Sequence, residues 1–581
     1  MSGPRAKGRS YLAVAEGRIA PVPLALEGGL LVLLAAMLLL PIALAIGRGF
    51  VDEGRPSLYW LVRTVTDGDV LRQLGNGVLL ACCATLLSLA IALPPAVLRA
   101  RCRFRGQGLL GVLLLVPMIL PPFVGALSMR HLFSRFGAVN LLLDRVGILD
   151  FSQSLPPDWL GTGFAGVAVL QALHLYPILY LNASAALANV DPAYAQAARN
   201  LGAGPVRTFF RITLPLMRPG LFAGGTIVFI WSFTDIGTPL ILGYDELAPV
   251  TIFKQLALAE TSPGVFSLVF VLLSGAVGLY VLGKFFFGRA AAAESSKASI
   301  AAEQHPLGPV ATLGAWLVFG AVLLMALLPH AGVVLTALSA RWVNTILPTD
   351  WTLRHLEFVI SRGETVSSIV NSLKYASLST LADLVLGGLA AWLIVRTRVA
   401  GRTLLDGMSM LPLAVPGLIL AAGYVALTAA GPLKPFGPFG NPLGILVVAY
   451  TIRRIPFVVR GVSAGLEQVP ESMEEAARNL GASRAGTIFR ITLPLILANV
   501  IAAGVLTFAF AVLEVSDSLI LAQQQAHFPI TKEIYRQATS GNVDAANIAS
   551  ALGVYGMGLL GGTLGLAGAL LGKKLGTIFR A

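Results

Sequence analysis

The sequence predicts an all-α polytopic membrane protein with about 12 transmembrane helices, arranged as two parallel six-helix repeats in one chain. Three observations lead to this fold class. The chain is 56% hydrophobic and only 12% charged, which is about half of the charge of an average soluble protein. Many apolar runs reach the roughly 20 residues that a helix needs to cross a bilayer, without the alternation of barrel strands. Finally, long stretches of the first half recur in the second.

A hydropathy window of about 19 residues divides the apolar runs into two sets of six predicted spans. The first set is 27–47, 76–100, 108–128, 161–183, 217–242 and 263–287. The second set is 309–338, 371–395, 403–428, 442–462, 495–520 and 546–571. Pro121 and Pro416 lie at matching positions in the third and ninth spans, so we expect both spans to be kinked.

Between the two sets, residues 288–308 are rich in alanine, serine and charged side chains and lack apolar periodicity. This composition predicts a cytoplasmic linker. The predicted organisation is an N-terminal cytoplasmic segment at 1–26, a first half at 27–287, the linker, a second half at 309–571 and a cytoplasmic tail at 572–581. The N-terminal segment is polar for too long to be an ordinary signal peptide.

Basic residues set the predicted orientation. The formal net charge is +13, and Lys and Arg concentrate in alternate short loops such as 99–105 and 396–402, whereas the intervening loops mix both signs. Because basic loops stay on the cytoplasmic side, we expect both termini to be cytoplasmic. The role of basic loops in setting the membrane orientation accounts for the positive net charge, so we expect no nucleic-acid binding. The cysteines match no disulfide or metal spacing; they are Cys82, Cys83 and Cys102.

The two halves are related by an internal repeat. The string AARNLGA occurs at 197–203 and again at 476–482, and FRITLPL occurs at 210–216 and 489–495, in each case 279 residues later. Upstream the shift is 295 residues, and the difference of 16 is attributed to an insertion in an outside loop of the first half. Since each half has an even number of spans, both copies have the same orientation, which predicts a parallel repeat.

The repeated strings lie in two polar segments, 190–220 and 469–499. Each begins with proline and polar residues, continues as an Ala-rich helix, and reaches a glycine, Gly202 or Gly481, that can adopt the left-handed conformation after a helix. A second short amphipathic helix and a Leu-Pro pair then lead into the next span. Its predicted apolar side carries Phe210 and Ile212, or Phe489 and Ile491. The pattern predicts a helix–turn–helix elbow on the cytoplasmic face.

These segments are the best-matched part of the repeat, although loops usually diverge faster than spans. One interpretation is an ordinary loop that lies on the membrane. The other is a surface that a partner binds twice, because small residues allow close approach. The small residues predicted on the outer surface are Ala197, Ala198, Ala476 and Ala477.

The same residues resemble the EAA signature of binding-protein-dependent ABC importer permeases. The second copy matches in full, with Glu475, Ala476, Ala477, Gly481, Ile491, Leu493 and Pro494. The first copy has Gln196 in place of glutamate and keeps Ala197, Ala198, Gly202, Ile212, Leu214 and Pro215. In that family this loop is the coupling helix, which docks into a groove of the ATP-hydrolysing subunit. The glutamine implies that the two contacts are not equivalent.

The resemblance also implies partners. The chain has no G-x-x-x-x-G-K-[ST] phosphate-binding loop, so we expect it not to be an enzyme and to bind no cofactor of its own. ATP and Mg would be used by two copies of a separate ABC ATPase subunit. A periplasmic or lipid-anchored solute-binding protein and membrane lipid complete the expected partners, in a bacterial cytoplasmic (inner) membrane. No metal ligands are assigned.

Ionisable residues within spans are candidates for a translocation path, because they are costly in lipid. Asp235 and Glu514 follow the two loops at matching positions, and Asp517 lies one turn further on. They are predicted either to form a carboxylate ring around a cation path or to be hydrogen-bonded structural groups. His174 and Tyr176 are further candidates; the corresponding span of the second half has Arg453 and Arg454 as its polar residues. A helix–helix contact is the alternative for His174.

A single chain that fuses both halves resembles the permeases that import ferric iron, whose relatives transport thiamine, aminoethylphosphonate, polyamines or sugar phosphates. TDIGTPLILG at 234–243 is similar to the iron members. The expected function is therefore iron(III) import by alternating access. An ion-driven secondary transporter would instead need charged relays within its spans and no docking loop. A membrane enzyme would need clustered catalytic groups, whereas the six histidines are scattered.

Overall fold

The computed structural model describes residues 14–15, 18–19, 21–151, 155–258, 262–287 and 304–571. Throughout these ranges the chain is almost entirely helical, and its strands are only two or three residues long. The all-α prediction is therefore confirmed. Most of the predicted N-terminal segment, residues 288–303 of the linker and the tail 572–581 lie outside the described residues.

Nine of the described helices are long and apolar enough to cross a membrane. They are Val22–Gly49, Gly68–Arg101, Gly163–Ala188, Pro205–Phe233, Pro263–Gly283, Pro309–Leu338, Gly363–Arg396, Arg484–Val512 and Ala545–Gly565. Two bent pairs qualify as single broken spans: Gln107–Met118 with Pro122–Arg145, and Arg402–Leu413 with Gly417–Thr428. The remaining predicted span corresponds to the 26-residue helix Leu443–Gln468, which includes Arg453 and Arg454. Each predicted span thus has its helix.

Both bent pairs break at the predicted prolines. The helix axes turn by 92° in the first half and by 100° in the second. Pro121 and Pro416 are each the residue that precedes the second helix of the pair, with extended ψ values of 134° and 136°. Because proline has no N–H and disfavours a helical residue before it, the helix restarts there rather than continuing. The predicted kinks are confirmed, and they are full breaks.

The chain forms two compact units that divide it differently from the sequence halves. One unit comprises 1–48, 367–531 and 558–581; the other comprises 49–366 and 532–557. In the first unit the Tyr424 hydroxyl donates to the Met37 carbonyl at 2.7 Å, so the first span packs with helices of the second half. In the second unit Ser128 donates to the Pro329 carbonyl at 2.8 Å, so the seventh span packs with helices of the first half.

The unit at 49–366 and 532–557 is built around Gly163–Ala188, whose Tyr176 and Tyr180 are fully buried. Its other helices are Tyr59–Thr66, Gly68–Arg101, Gln107–Leu113, Val116–Ile119, Pro122–Phe133, Ala138–Arg145, Pro192–Asn200, Pro205–Thr208, Phe209–Thr213, Leu214–Phe233, Gly237–Ile241, Ala248–Ala257, Pro263–Phe287, Pro309–Leu338 and Arg354–Ser361. Its strands pair as Val51–Asp52 with Arg55–Pro56, Ser339–Arg341 with Asp350–Trp351, and, in parallel, Cys102–Arg103 with His305–Pro306.

The other unit has a core between helices Leu443–Gln468 and Leu493–Val512, where Val458 and Ala503 are buried. Its remaining helices are Pro21–Leu34, Ala35–Leu39, Leu40–Gly49, Gly363–Arg396, Arg402–Met410, Leu411–Leu413, Gly417–Thr428, Gly431–Phe436, Glu471–Asn479, Arg484–Thr487, Ile488–Thr492, Ser516–Leu521 and Gln525–His527. A strand pair joins Val14–Ala15 to Arg18–Ile19. Helices Ile530–Ala538 and Ala545–Leu571 continue from one unit into the other.

The fifth and eleventh spans end earlier than predicted. The predicted ranges 217–242 and 495–520 stop being continuous helix at Phe233 and Val512, and short helices follow at Gly237–Ile241 and Ser516–Leu521. The carboxylates explain the breaks, because an interrupted helix frees backbone N–H groups to bind them. The Gly237 N–H donates to Asp235 at 3.1 Å. Asp235 and Glu514 therefore lie between helices, not within a span.

Candidate functional site

The first loop helix, Pro192–Asn200, has a complete set of end signals. The Asp191 carboxylate caps its start by accepting from the Ala193 N–H at 2.8 Å. At its end Gly202 has a φ of +80°, and two backbone bonds of 2.9 Å close the turn, from Gly202 to Arg199 and from Ala203 to Ala198. This pair of bonds around a left-handed glycine is a Schellman motif. The predicted conformation of Gly202 is confirmed.

The second loop helix, Glu471–Asn479, ends in the same way. Gly481 has a φ of +88°, and the Ala482 N–H donates to the Ala477 carbonyl at 3.0 Å. Neither glycine has a neighbouring atom within 4 Å of where a Cβ would lie. Space therefore does not require glycine in these loops; the left-handed backbone does.

Each loop continues into the following span as one continuous helix, whereas the sequence predicts a separate short amphipathic helix before the Leu-Pro pair. The first half has one helix from Pro205 to Phe233 and the second has one from Arg484 to Val512. Wider π turns at Phe209–Thr213 and Ile488–Thr492 precede the prolines. Because a π turn shifts hydrogen bonds to the fifth residue back, it accommodates the proline ring and its missing N–H. The elbow is thus joined to the span by continuous helix, with Pro215 and Pro494 inside it.

The exposed side chains of the first loop differ in part from the prediction. Gln196 and Ala197 are exposed, but Ala198 is only 6% exposed. Adjacent residues on a helix point about 100° apart, so both alanines cannot face outward. In the second loop Ala476 is exposed and Ala477 is half-buried. Of the four alanines predicted on the outer surface, only Ala197 and Ala476 are therefore exposed.

Two exposed leucines were missed by the sequence reasoning. Leu201 and Leu480 precede the left-handed glycines and are 89% and 90% exposed. Phe210 and Phe489, which were assigned to an apolar side, are 61% and 68% exposed. The available signal was an apolar residue, leucine, within the otherwise polar end of the repeated AARNLGA segment. Each loop presents an apolar tip next to small residues, a shape suited to a partner's groove.

The second loop is anchored by a buried ion pair. Arg396, at the end of Gly363–Arg396, donates its Nε to Glu474 Oε1 at 3.0 Å, and both side chains are about 95% buried. Thr492 Oγ1 donates to the same Glu474 oxygen at 3.0 Å. Arg396 Nη2 also donates to the Leu466 and Val469 carbonyls at 2.9 and 2.8 Å. The loop is therefore fixed to three neighbouring elements, while the adjacent Glu475 is half-buried.

Asp235 is held by neutral groups. Its Oδ2 accepts from Gln171 Nε2 at 3.0 Å, while Ser232 donates to the Gln171 oxygen at 2.8 Å. With the Gly237 N–H, the carboxylate has two direct hydrogen-bond donors, and Ser232 holds the Gln171 amide that supplies one of them. This environment accounts for a half-buried structural carboxylate and does not require a translocated cation.

The second half holds its carboxylates with arginines. Glu514 is paired with both Arg453 and Arg454, and Arg453 also lies 3.3 Å from Asp517. Asp517 is fully buried, whereas 23% of the Arg453 side chain is exposed. Arg454 donates further to the Phe510 carbonyl at 2.8 Å. The cluster is thus a buried network with one accessible guanidinium.

His174 and Tyr176 bind the broken third span. The His174 ring nitrogen Nδ1 lies 3.1 Å from the Pro117 carbonyl, and the Tyr176 hydroxyl donates to the Leu114 carbonyl at 2.8 Å. Both carbonyls lie next to the break at Pro121, where helical partners are lost. These contacts explain the two polar side chains as a support for the break; their role in transport stays a prediction.

Within the described ranges, no group of three or more His, Cys, Asp or Glu side chains is placed to hold a metal ion.

The family described as "Binding-protein-dependent transport system inner membrane component" matches twice, at residues 84–289 and 383–575. The chain is 28% identical to the ferric transport system permease protein FbpB of Actinobacillus pleuropneumoniae, over 79% of this chain and 66% of that protein. It is also 28% identical to the putative ferric transport system permease protein FbpB 1 of Haemophilus influenzae, over 79% and 72%. A probable molybdenum ABC transporter permease protein of Haloferax volcanii is 33% identical over 44% of this chain and 88% of its own length. The chain spans about two thirds of the length of the first of these relatives.

Proposed function

Because this chain belongs to the family of binding-protein-dependent transport system inner membrane components, we propose that it is the permease subunit of an ATP-driven importer. The observation that carries this proposal is the pair of exposed loops with identical Schellman ends and apolar tips at Leu201 and Leu480. Two copies of an ABC ATPase subunit would each bind one loop. A secondary transporter has no use for such a repeated docking surface.

The proposed mechanism is alternating access driven through the loops. ATP binding brings the two ATPase subunits together, and each carries a loop helix with it. Since Pro205–Phe233 and Arg484–Val512 are continuous helices, a displacement of the loop reaches the middle of the membrane without a flexible joint. The path opens outward to receive solute from the binding protein, and hydrolysis returns it to the inward-open state.

The proposed substrate is ferric iron. Support comes from the two ferric permeases that match most of the chain and from the fusion of both halves in one polypeptide. The molybdenum relative has higher identity but matches less than half of the chain. Molybdate is therefore the competing substrate that the test must separate, together with thiamine, aminoethylphosphonate, polyamines and sugar phosphates.

We expect the binding protein that works with this chain to bind Fe³⁺ and to stimulate ATP hydrolysis by the reconstituted transporter only when iron-loaded. The measurement is ⁵⁵Fe uptake into proteoliposomes that contain the chain and its ATPase, with ATP enclosed. The control is the same preparation with an ATPase whose phosphate-binding lysine is replaced. Molybdate uptake, or stimulation by a molybdate-loaded or thiamine-loaded binding protein, would contradict the iron assignment and leave the importer assignment intact.

Both termini and both loops are proposed to be cytoplasmic, as the Lys/Arg distribution predicts. In a variant without native cysteines, a Leu480→Cys thiol should react with a membrane-impermeant maleimide only after the cells are permeabilised. Leu480 is suitable because it is 90% exposed. The matched control is Val543→Cys, which is 95% exposed in the loop before the last span and should react in intact spheroplasts. The reverse pattern would invert the topology.

A further inference from the structure

The first loop lacks the anchor of the second. The repeat aligns Arg101 with Arg396, Thr213 with Thr492, and Ala195 with Glu474. In the first half Arg101 donates directly to the Thr213 hydroxyl. In the second half the Glu474 carboxylate lies between the equivalent residues and accepts from both Arg396 and Thr492. Alanine supplies no carboxylate, so the anion that organises the second loop is missing from the first.

A cavity of about 140 Å³ occupies the corresponding place. It is lined by Ala100, Arg101, Leu187, Val190, Asp191, Pro192, Ala195, Arg199, Pro205, Thr208, Thr213 and His305. Leu187 and Val190 are the repeat equivalents of Leu466 and Val469, whose carbonyls accept from Arg396. Arg101, Leu187, Val190 and Thr213 thus line the cavity at the repeat positions of the groups that surround Glu474 and its partner in the second half, and alanine replaces the carboxylate.

The charges that face the cavity favour an anion. Arg101 and Arg199 both line it, and no carboxylate of the described part of the chain forms an ion pair with either. His305 adds a third basic group. The one acidic lining residue, Asp191, already caps the loop helix through its Oδ1. Arg101 is half-buried and Arg199 is exposed at the mouth of the cavity, so an anion between the two guanidinium groups would relieve their mutual repulsion.

We propose that this cavity binds a small oxyanion of the phosphate class, which takes the place of the Glu474 carboxylate. A water molecule needs only about 10–15 Å³ of such space, so the cavity has room for a tetrahedral anion. Arg101 would bind one edge of the anion and Arg199 another, in the bidentate manner usual for guanidinium groups. The second loop is anchored permanently by its own side chain. The first is anchored only when the anion is bound.

The consequence is a ligand-dependent coupling loop. The anion would fix Pro192–Asn200 against the end of Gly68–Arg101, as Glu474 fixes Glu471–Asn479 against Arg396. Hydrogen exchange in residues 192–203 should therefore slow when phosphate is added, whereas exchange in 471–482 should not change. This inference concerns the chain alone, so its test needs no ATPase and is separate from the test of the proposed function.

The experiment is equilibrium dialysis of the purified full-length chain in nanodiscs against [³²P]phosphate. We expect one saturable site per chain, with competition by sulfate. Ala195→Glu supplies the missing carboxylate and should weaken phosphate binding by about tenfold or more. Gln196→Glu is the matched control: it adds the same charge one residue away, on an exposed position that does not line the cavity, and should leave binding unchanged.

The reciprocal variant Glu474→Ala should create a second site, so that the stoichiometry rises from one phosphate per chain to two. If that variant does not fold, the comparison of A195E with Q196E still decides. Absence of saturable binding up to about 10 mM phosphate, or equal binding by A195E and wild type, overturns the proposal. Titrations in phosphatidylcholine and phosphatidylglycerol nanodiscs distinguish the sources: weaker phosphate binding in the second assigns the site to a lipid headgroup, and equal binding assigns it to free anion.

Discussion

A chain in which both Gly202 and Gly481 are replaced by valine is expected to insert into the membrane but to lose its ATPase subunits and its transport activity. Both glycines have left-handed backbones, at φ +80° and +88°. A side chain costs about 1–2 kcal/mol in this conformation, and a β-branched one at least that much. Valine therefore favours unwinding of the helix end that presents Leu201 or Leu480.

The expected loss of affinity follows from the strain. If docking requires the folded loop end, about 2–4 kcal/mol over two loops weakens ATPase binding by roughly 30- to 700-fold. Co-purification of the ATPase with the tagged chain measures this directly, and uptake into proteoliposomes measures its consequence. Single substitutions should have intermediate effects, and their ratio reports whether the loop with Gln196 contributes less than the loop with Glu475.

Asparagine provides the control, because it tolerates the left-handed conformation better than other residues with a side chain. The double Gly→Asn variant should retain most of the ATPase, since nothing lies within 4 Å of either Cβ position. Undiminished ATPase binding and uptake by the double valine variant would show that these loops are not the docking sites. A monodisperse gel-filtration profile of the valine variant excludes misfolding as the cause.

The loops were predictable in detail because their signals are local. A proline or aspartate at the start and a glycine at the end specify a helix and its left-handed terminus from short stretches of sequence. The exposure of Leu201 was not predictable in this way, because burial depends on neighbours distant in sequence. The continuous helix through Pro215 was missed for another reason: a π turn compensates for the proline, and no composition signal announces a π turn.

The same distinction between local signals and contacts distant in sequence explains how far the environment of the carboxylates could be predicted. Hydropathy identified Asp235 and Glu514 as unusual within apolar runs, but it could not show that the helix stops there or which groups surround them. Their partners, Gln171 in one half and Arg453 with Arg454 in the other, come from the preceding spans. The sequence also could not show that the first span packs with helices of the second half and the seventh span with helices of the first half. A parallel repeat is compatible with this packing and with packing of each span within its own half.

The two halves thus hold their corresponding carboxylates with different chemistry: an amide in the first and arginines in the second. Gln171 and Tyr450 occupy matching positions in the repeat; Gln171 binds Asp235, and the Tyr450 hydroxyl lies 2.6 Å from Ser518. A neutral network tolerates the loss of one member better than an ionic one. A hydrogen bond lost inside a protein costs about 1–3 kcal/mol, whereas removal of one partner from a buried ion pair costs about 3–5 kcal/mol. The energetic asymmetry can therefore be measured by matched substitutions.

Glu514→Ala is expected to destabilise the chain by about 3–5 kcal/mol, because Arg453 and Arg454 lose their shared partner while Arg454 remains 95% buried. Asp235→Ala should cost about 1–3 kcal/mol, since it leaves only neutral donors unpaired. The measurement is the thermal unfolding midpoint of the purified chain in detergent, followed by tryptophan fluorescence. Glu514→Gln keeps the side-chain volume and some hydrogen bonds, so its midpoint should lie between those of wild type and E514A.

The conservative variant Asp235→Asn separates a structural role from a place in the translocation path. An asparagine can accept from the Gly237 N–H while the Gln171 amide reorients, so D235N should unfold close to the wild-type temperature. If the carboxylate also lines the path of a cation, uptake by D235N falls although its stability does not; if the carboxylate is structural, both remain near the wild-type values. An E514A midpoint at or above that of D235A would contradict the ionic account of the second half, because removal of Glu514 leaves the buried Arg454 guanidinium without its carboxylate partner.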